Sequence, residues 1–527
     1  MEAVVNSKPT KELPVHWQRP DLWLEEKAGD QPEKPAILFG ERPITYRELW
    51  ERVVRLAAGL SRQGLCPGDR IGCLTTNHPA FLETYFASSL IGAIFVPMDF
   101  RLAGPELRFQ IEDAEPAAFI LGSAQEDLPG SFFQNLRTKT PRIIQLQPCK
   151  EPGGDLCYEE LVQEGPFPDR EGPDRAFSPE EPQLIMYTSG TTGMPKGAIL
   201  PYRKTLYNNL NAQCFFDLNS NDTVLVPVPL FHSLGLNILS VPVLFQGGTV
   251  VLLERFEPEA TLRAIEKHGV TFVGAVPTVY NRLLDHGLSG HDLSGLRFCF
   301  TAGAPIPVSV IEEYHRRGIL LKQGFGQTET SILCCLDAQD AIRKAGSVGK
   351  PVVHAEVKVV NERLEEVSAG ETGEIVARGP IVMLGYWQRT EETEKVFRGP
   401  WLRTQDLATR DEEGFVTLVG RKGDMYIRGG ENIYPEEIEK VYQTHPDIEE
   451  IAVIGIPDPD LGEVGLAFVV LREGARWDEA AMKDYVRGKL SRYKTPRRFV
   501  QLRSLPHTVT GKIQKYRLRE TLFETPP

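Results

Sequence analysis

Cysteine is scarce in this chain: eight scattered residues in 527, with no C-x-x-C pair and no metal-ligand spacing. Cys334 and Cys335 are adjacent, which does not suit a disulfide framework, so reduced thiols in a cytosolic setting are expected. No apolar run approaches the ~20 residues that span a bilayer. A transmembrane segment is therefore not expected, and only peripheral membrane contact is left open. The first twenty residues are polar and lack the apolar centre of a secretory signal, so the expected location is cytoplasmic. Basic charge is also short. Lys and Arg number 59 against 72 Asp and Glu, a net charge of −13. Nucleic-acid binding needs clustered basic surface, so nucleic acid is not an expected partner. The chain has no internal repeat and no low-complexity tract.

What is present is a soluble globular composition on a chain too long for one core. Its most informative stretch runs Tyr187-Thr188-Ser189-Gly190-Thr191-Thr192-Gly193-Met194-Pro195-Lys196-Gly197, behind the short apolar strand Gln183 to Met186. Glycines let the backbone curl so that successive N–H groups face an anion. The hydroxyls add donors and Lys196 adds a compact charge. This is chemistry for holding a polyphosphate. It is not the Walker order, because no Ser or Thr follows Lys196. Ser/Thr/Gly clusters also occur as plain solvent loops.

Strands and helices alternate through the first part of the chain. Ala36 to Phe39 and Pro43-Ile44 flank Gly40 as a hairpin, and Thr45 with Glu48 reads as a capping box opening a helix that Gly64 ends. Strands are expected at 70–74, 93–97, 117–121, 223–227, 249–253, 271–276 and 296–300, with helices at 79–90, 107–111 and 258–268. Near-continuous apolar strands alternating with helices predict a largely parallel α/β sheet. Several strands end in polar or Gly-rich clusters: Val276-Pro277-Thr278, Ala302-Gly303-Ala304-Pro305 and Gly324-Phe325-Gly326-Gln327-Thr328-Glu329. Ligands of open parallel sheets sit at the carboxyl ends of strands, so these clusters are expected to converge. From Val353 short strands suggest a small β-rich subdomain, and the polar break at 420–424 suggests a boundary. The predicted domains are 1–420 and 421–527, the second a compact α+β unit with Asp478 capping a helix that reaches Leu490. Within the Gly324 cluster, Phe325 suits stacking on a purine, Thr328 a hydrogen bond to phosphate, and Glu329 a Mg²⁺ ion.

The Thr188–Gly197 run closely resembles the phosphate loop of the adenylate-forming superfamily: acyl-CoA synthetases, luciferases and the adenylation domains of peptide synthetases. Further motifs in the expected order extend the resemblance over nearly the whole chain. The resemblance implies ATP, Mg²⁺ and coenzyme A as ligands and a small-molecule carboxylic acid as substrate. ATP is then contacted by Thr188, Ser189, Gly190, Thr191, Thr192, Gly193, Lys196, Gly303, Ala304, Pro305, Gly324 to Thr328, Asp406 and Arg421, the last two on the ribose. The family usually has Gly where this chain has Gln405, so that side chain must point away from the nucleotide. Lys512 matches the catalytic lysine, which reaches from the C-terminal domain to join acid and α-phosphate; Thr328 and His232 stand beside it as candidate catalytic residues. The hinge position is Gly423 here, and Gly429, Gly430 and Glu431 match the segment lining the thiol channel. His232, Leu236, Val276, Thr278, Ala302, Gly303 and Gly326 match the acyl pocket.

His232 stands where amino-acid-activating relatives carry Asp, so an amino acid is not the expected substrate. Gly326 stands where acetate-activating relatives close the pocket with Trp, so a longer or aromatic acid is expected. The overall texture resembles fatty-acid–CoA ligases most, which implies a medium- or long-chain acid; aryl-acid and succinylbenzoate ligases are the alternative. Delivery of the acyl group to a carrier protein, delivery to oxygen, and a non-catalytic nucleotide-binding module are further readings. The basic run Arg487 to Arg498 reads as a solvated face.

Overall fold

The computed structural model describes residues 15–102, 104–122, 136, 140, 142–146, 156–163, 177–188, 195–304, 306–428, 431–459, 461–487, 489–490, 494–507 and 511–524. Within these, two large sheets dominate the N-terminal part. One runs, from edge to edge, Lys350–Pro351, Ser331–Cys335, Leu321–Gln327, Phe298–Thr301, Phe272–Ala275, Thr223–Val226, Thr249–Leu252, Pro35–Phe39 and Arg42–Thr45. Its five central pairings, from Leu321–Gln327 across to Pro35–Phe39, are all parallel. The strands are buried on both faces, as the apolar runs require.

The second sheet runs Gly385–Tyr386, Lys196–Pro201, Pro182–Thr188, Ile94–Pro97, Arg70–Leu74, Ala118–Leu121, Ile143–Gln145 and Leu156–Cys157. The helix Tyr46–Arg62 packs on the helix Pro79–Ile91 and on the strands Pro35–Phe39 and Arg42–Thr45 of the first sheet, and Pro79–Ile91 packs on Ile94–Pro97 of the second. Thr45 caps the first helix by accepting from the Glu48 N–H, while the Glu48 carboxylate turns to Arg42 instead of closing the box. A third, antiparallel sheet contains Glu356–Val360, Gly373–Arg378, Trp401–Arg410, Phe397–Arg398 and Val416–Arg421. This is the β-rich subdomain the sequence announced.

A separate sheet of Glu431–Ile433, Tyr426–Arg428, Gly462–Leu471, Ile448–Asp458 and Arg498–Gln501 forms the C-terminal lobe, with its own apolar core around Tyr426, Ile438, Tyr442 and Val453. Asp478 caps Glu479–Tyr485 by accepting from the Ala481 N–H. That helix ends well before Leu490, a correction: Arg487 and Leu490 form an isolated bridge instead of a further helical turn. The seven described cysteines are all unpaired. No helix among the described residues is long and apolar enough to cross a membrane.

Candidate active site

Three neighbouring parallel strands set the floor of the site. Ala275 pairs with Thr301 and Thr301 with Gln323, so their carboxyl ends stand level. Phe272–Ala275 delivers Val276 and Thr278, and Phe298–Thr301 delivers Ala302, Gly303 and Ala304. A Cβ built on Gly303, at φ +90°, would stand 3.7 Å from Val276 Cγ1, so these two predicted pocket residues do face each other. The third strand does not stop at the same level. Leu321–Gln327 continues through Gly324 to Gln327 and folds back as a hairpin onto Ser331–Cys335. The Gly-rich motif is thus a strand ending in a turn rather than a loop, and Thr328 and Glu329 form that turn.

A Cβ on Gly326 would stand 1.9 Å from the Ser331 carbonyl oxygen. The glycine is demanded by the close approach of two backbones, and so says nothing about room for an acyl chain. Leu236 is fully enclosed, and Ala302 is nearly so. Leu236 lies on a π-helix, Leu234–Ser240, in which the Ser240 hydroxyl donates to the Gly235 carbonyl. Leu236 packs in the main apolar core. Phe325 also packs into the core and is only 7 % exposed, leaving little ring for a purine.

Glu329 is held firmly. Its backbone carbonyl accepts from the Met383 N–H at 2.8 Å and its Oε1 from the Tyr386 hydroxyl at 2.9 Å. Its other oxygen is the kind of hard donor Mg²⁺ takes alongside phosphates and waters. Behind it, the buried ammonium of Lys204 donates to Ser331 Oγ. Burial lowers the Lys204 pKa to about 7, against the opposing pull of Glu329.

Asp406 and Arg421 come from paired strands and form an ion pair of 3.0 Å. Gln327 ties Asp406 to the Gly324 hairpin, donating to its Oδ2 at 2.5 Å and to the Thr404 carbonyl at 2.7 Å. Burial raises the Asp406 pKa, while Arg421, Lys512 and Gln327 oppose it. Gln405 adopts φ +64°, the left-handed region where glycine is at ease. Its amide reaches Glu374 Oε1 at 3.4 Å.

Lys512 comes from the C-terminal lobe, yet it belongs to this cluster. The residue keeps an open surface, but its position between the two lobes desolvates the ammonium and, with Arg421 nearby, draws its pKa below the usual lysine value. Asp406 and Glu329 oppose that shift. Burial, Arg101 and Lys512 together lower the His232 pKa to about 3, so the ring is neutral at assay pH. Its Nε2 lies 3.2 Å from Arg101 Nη2, which makes that nitrogen the acceptor.

The sequence reading missed Arg101, whose guanidinium lies over the Phe231 ring at 4.8 Å from the centroid and pairs with Asp99 at 3.0 Å. It also missed Asn77. This buried amide accepts from the Leu230 N–H at 2.8 Å and donates to the Val228 and Leu253 carbonyls at 2.9 Å, so the segment carrying His232 hangs on it. No local pattern marks either residue.

Lys196 begins the strand after the phosphate-loop stretch, and Thr188 closes the strand before it. Ser189, Gly190, Thr191, Thr192 and Gly193 lie outside the described residues, as do Pro305, Gly429 and Gly430. Gly423 stands in an exposed turn where an added Cβ would meet nothing within 4 Å. Glu431 pairs with Arg428 in a hairpin of the C-terminal sheet, and its described contacts do not join it to this cluster.

Residues 24–387 match the AMP-binding enzyme family, and residues 437–512 match the AMP-binding enzyme C-terminal domain. The chain is 39 % identical over 499 residues to a feruloyl-CoA synthase of an Amycolatopsis species, covering 94 % of this chain and 98 % of that one. It is 38 % identical over 500 residues to the indoleacetate–CoA ligase of Aromatoleum aromaticum, covering 94 % and 97 %. Among solved structures it resembles the o-succinylbenzoate coenzyme A synthetase of Bacillus subtilis in complex with ATP and magnesium ion, at a TM-score of 0.84 and 30 % identity, covering 94 % and 99 %. With the large N-terminal and small C-terminal domains of that fold, and a lysine of the second lobe facing the carboxylates of the first, the chain belongs to the AMP-binding enzyme family, within the adenylate-forming superfamily.

Proposed function

We propose that this enzyme is an ATP-dependent, AMP-forming acid–thiol ligase that joins an aryl or arylalkyl carboxylic acid to coenzyme A. The observation that carries the reading is the seat of Gly511 against Thr278, which brings Lys512 of the C-terminal lobe within electrostatic reach of Asp406, Arg421 and Glu329. Asp406, buried and oriented by Arg421 and Gln327, accepts hydrogen bonds from the ribose hydroxyls of ATP. Thr188, Lys196 and the intervening hydroxyl-rich stretch take the polyphosphate. Glu329, fixed by Tyr386, would hold Mg²⁺ with the phosphate oxygens. When bound, that ion neutralises charge on the departing pyrophosphate.

Lys512 draws the acid carboxylate and the α-phosphate together, two anions that would otherwise repel. One carboxylate oxygen bonds to the α-phosphorus and the bond to pyrophosphate breaks, leaving acyl-adenylate. The lysine offsets the charge gathered on the phosphoryl oxygens as this happens. We take the domain boundary at 420/421 and the swing point at Gly423, whose surroundings leave room for backbone rotation. Rotation then withdraws Lys512 and brings the segment around Glu431 to the thiol, which attacks the acyl carbon and releases AMP.

The aryl preference is supported by the acids named for the feruloyl, indoleacetate and succinylbenzoate relatives. The fatty-acid reading is the second one, carried by likeness to a long-chain-fatty-acid–CoA ligase of Bacillus subtilis at 32 % identity. Pyrophosphate release from ATP with ferulate, indoleacetate, succinylbenzoate, decanoate and palmitate separates them. The aryl acids are expected to lead, with AMP and thioester accumulating only when CoA is added. Turnover fastest on palmitate would reverse the preference, and turnover with a phosphopantetheinylated carrier but not CoA would reassign the acceptor.

A further inference from the structure

Lys196 is the phosphate-loop cation, yet it is not pointing at open space. Its Nζ stands 2.5 Å from Glu392 Oε2, with the two side chains 12 % and 26 % exposed. The same ammonium lies over the Tyr386 ring, 5.4 Å from the centroid, and the Tyr386 hydroxyl is the one that donates to Glu329. Glu392 has a second partner: its Oε1 meets Lys395 Nζ at 2.6 Å. Tyr386, Glu392 and Lys395 lie on one short stretch, the strand Gly385–Tyr386 and the helix Thr390–Val396, whose strand pairs with Lys196–Pro201. The two lysines together pull the Glu392 carboxyl down to about 2, so it is ionised at every working pH.

We propose that Glu392 is a displaceable counter-ion for Lys196, which the ammonium leaves when the triphosphate of ATP arrives and regains when pyrophosphate departs. This rests on the phosphate-loop role given to Lys196 above. The exchange is close to even in charge. Lys196 trades one carboxylate for phosphate oxygens, and Lys395 stays on Glu392 so that no bare carboxylate is left half-buried. Without Glu392 the ammonium would wait hydrated, and binding would have to strip that water. With it, the ammonium is already aimed and partly dry, but the phosphates must outcompete a carboxylate. Such competition weakens ATP and pyrophosphate binding while leaving AMP untouched, because AMP lacks the β- and γ-phosphates that draw the lysine away. The device favours release of pyrophosphate once the adenylate has formed.

The test is calorimetric binding of MgATP and, separately, of AMP, with no acid present, to the wild-type enzyme and to Glu392→Gln, Lys395→Met and Lys196→Met. Glu392→Gln is expected to bind MgATP about three- to fivefold tighter, the range of a partly exposed ion pair, with AMP unchanged. Lys395→Met is expected to bind MgATP more weakly, since the departing Lys196 then leaves Glu392 alone. A merely structural Glu392 would weaken both nucleotides alike on substitution. Unchanged or weaker MgATP binding in Glu392→Gln, or an equal gain for AMP, overturns the proposal. If Lys196→Met loses MgATP affinity while Glu392→Gln gains none, the counter-ion role alone fails. If Lys196→Met binds MgATP like the wild type, the phosphate-loop reading fails with it.

Discussion

Gly511 sits directly against Thr278: a Cβ added to the glycine would stand 3.6 Å from the threonine methyl carbon and 3.8 Å from its hydroxyl oxygen. One residue belongs to the C-terminal lobe and the other to the first turn of the helix Pro277–His286, which follows the strand Phe272–Ala275 of the central sheet, so the contact reports how the lobes close. Because Lys512 follows Gly511, this seat brings its ammonium within electrostatic reach of Asp406, Glu329 and Arg421. On the function proposed above, this closed arrangement serves the first half-reaction.

That seat predicts a split between the half-reactions. Gly511 has φ +79°, where a side chain costs ~1–2 kcal/mol. Gly511→Val adds this strain and crowds Thr278, and is expected to slow adenylation about tenfold. Lys512→Ala is expected to slow it by about 10² to 10³, the effect of losing one placed donor. Neither should much alter thioester formation from synthetic acyl-AMP, because the seat is vacated by then. Pyrophosphate release and acyl-CoA formation, measured separately, check this. Equal loss in both would contradict rotation between the steps.

The Asp406–Arg421 pair predicts a pH effect. Burial already raises the Asp406 pKa and Arg421 opposes the rise. Ribose binding needs the ionised carboxylate, which is lost as pH falls through that pKa. Arg421→Met removes the opposing cation, so the pKa climbs further and ATP affinity fails at a higher pH than in the wild type. The acid limb of the KM for ATP, followed from pH 8 downward, should move up. An unmoved limb would show that Asp406 is not the titrating group.

The strands and the first-order site were legible because their signals are local. Apolar runs such as Thr223–Val226 and the turn after Leu321–Gln327 lie within a few residues of what they specify. What was not legible is long-range. Asn77 meets Leu230 across 153 positions, and Lys196 meets Glu392 across 196. Nothing near either residue announces its partner. Gly326 was ambiguous for a related reason: a glycine required by a neighbouring backbone looks, in sequence, the same as one that leaves a pocket open.

Asn77 gives a prediction about the acid side of the reaction. Its three hydrogen bonds are buried, and Asn77→Ala strands the Leu230 N–H and two carbonyls. A cost of about 2–3 kcal/mol in stability is expected. The segment bearing Phe231 and His232 loosens, so the KM for the acid should rise while the KM for ATP, set by Asp406 and Lys196, stays within about twofold. Thermal unfolding and the two KM values check both halves. A rise in the KM for ATP alone would mean that this segment does not border the acid.

Lys204 supplies a test that needs no substrate. Its folded pKa is near 7, while the unfolded lysine titrates near its ordinary value of ~10.4. Between those two values the unfolded chain binds more protons than the folded one, so this group makes stability rise with pH; below pH 7 both states are protonated and the slope vanishes. The burial of Lys204 is therefore most costly at and below neutrality. Lys204→Met keeps the length and removes the charge, but also the bond to Ser331 that stands behind Glu329. It is expected to flatten the rise in unfolding free energy between pH 7 and 9. Lys204→Arg, charged throughout, should flatten it as well, with lower stability at every pH. Parallel stability curves for all three proteins would mean that the ammonium is already charged in the fold, held there by Glu329 across the Ser331 turn.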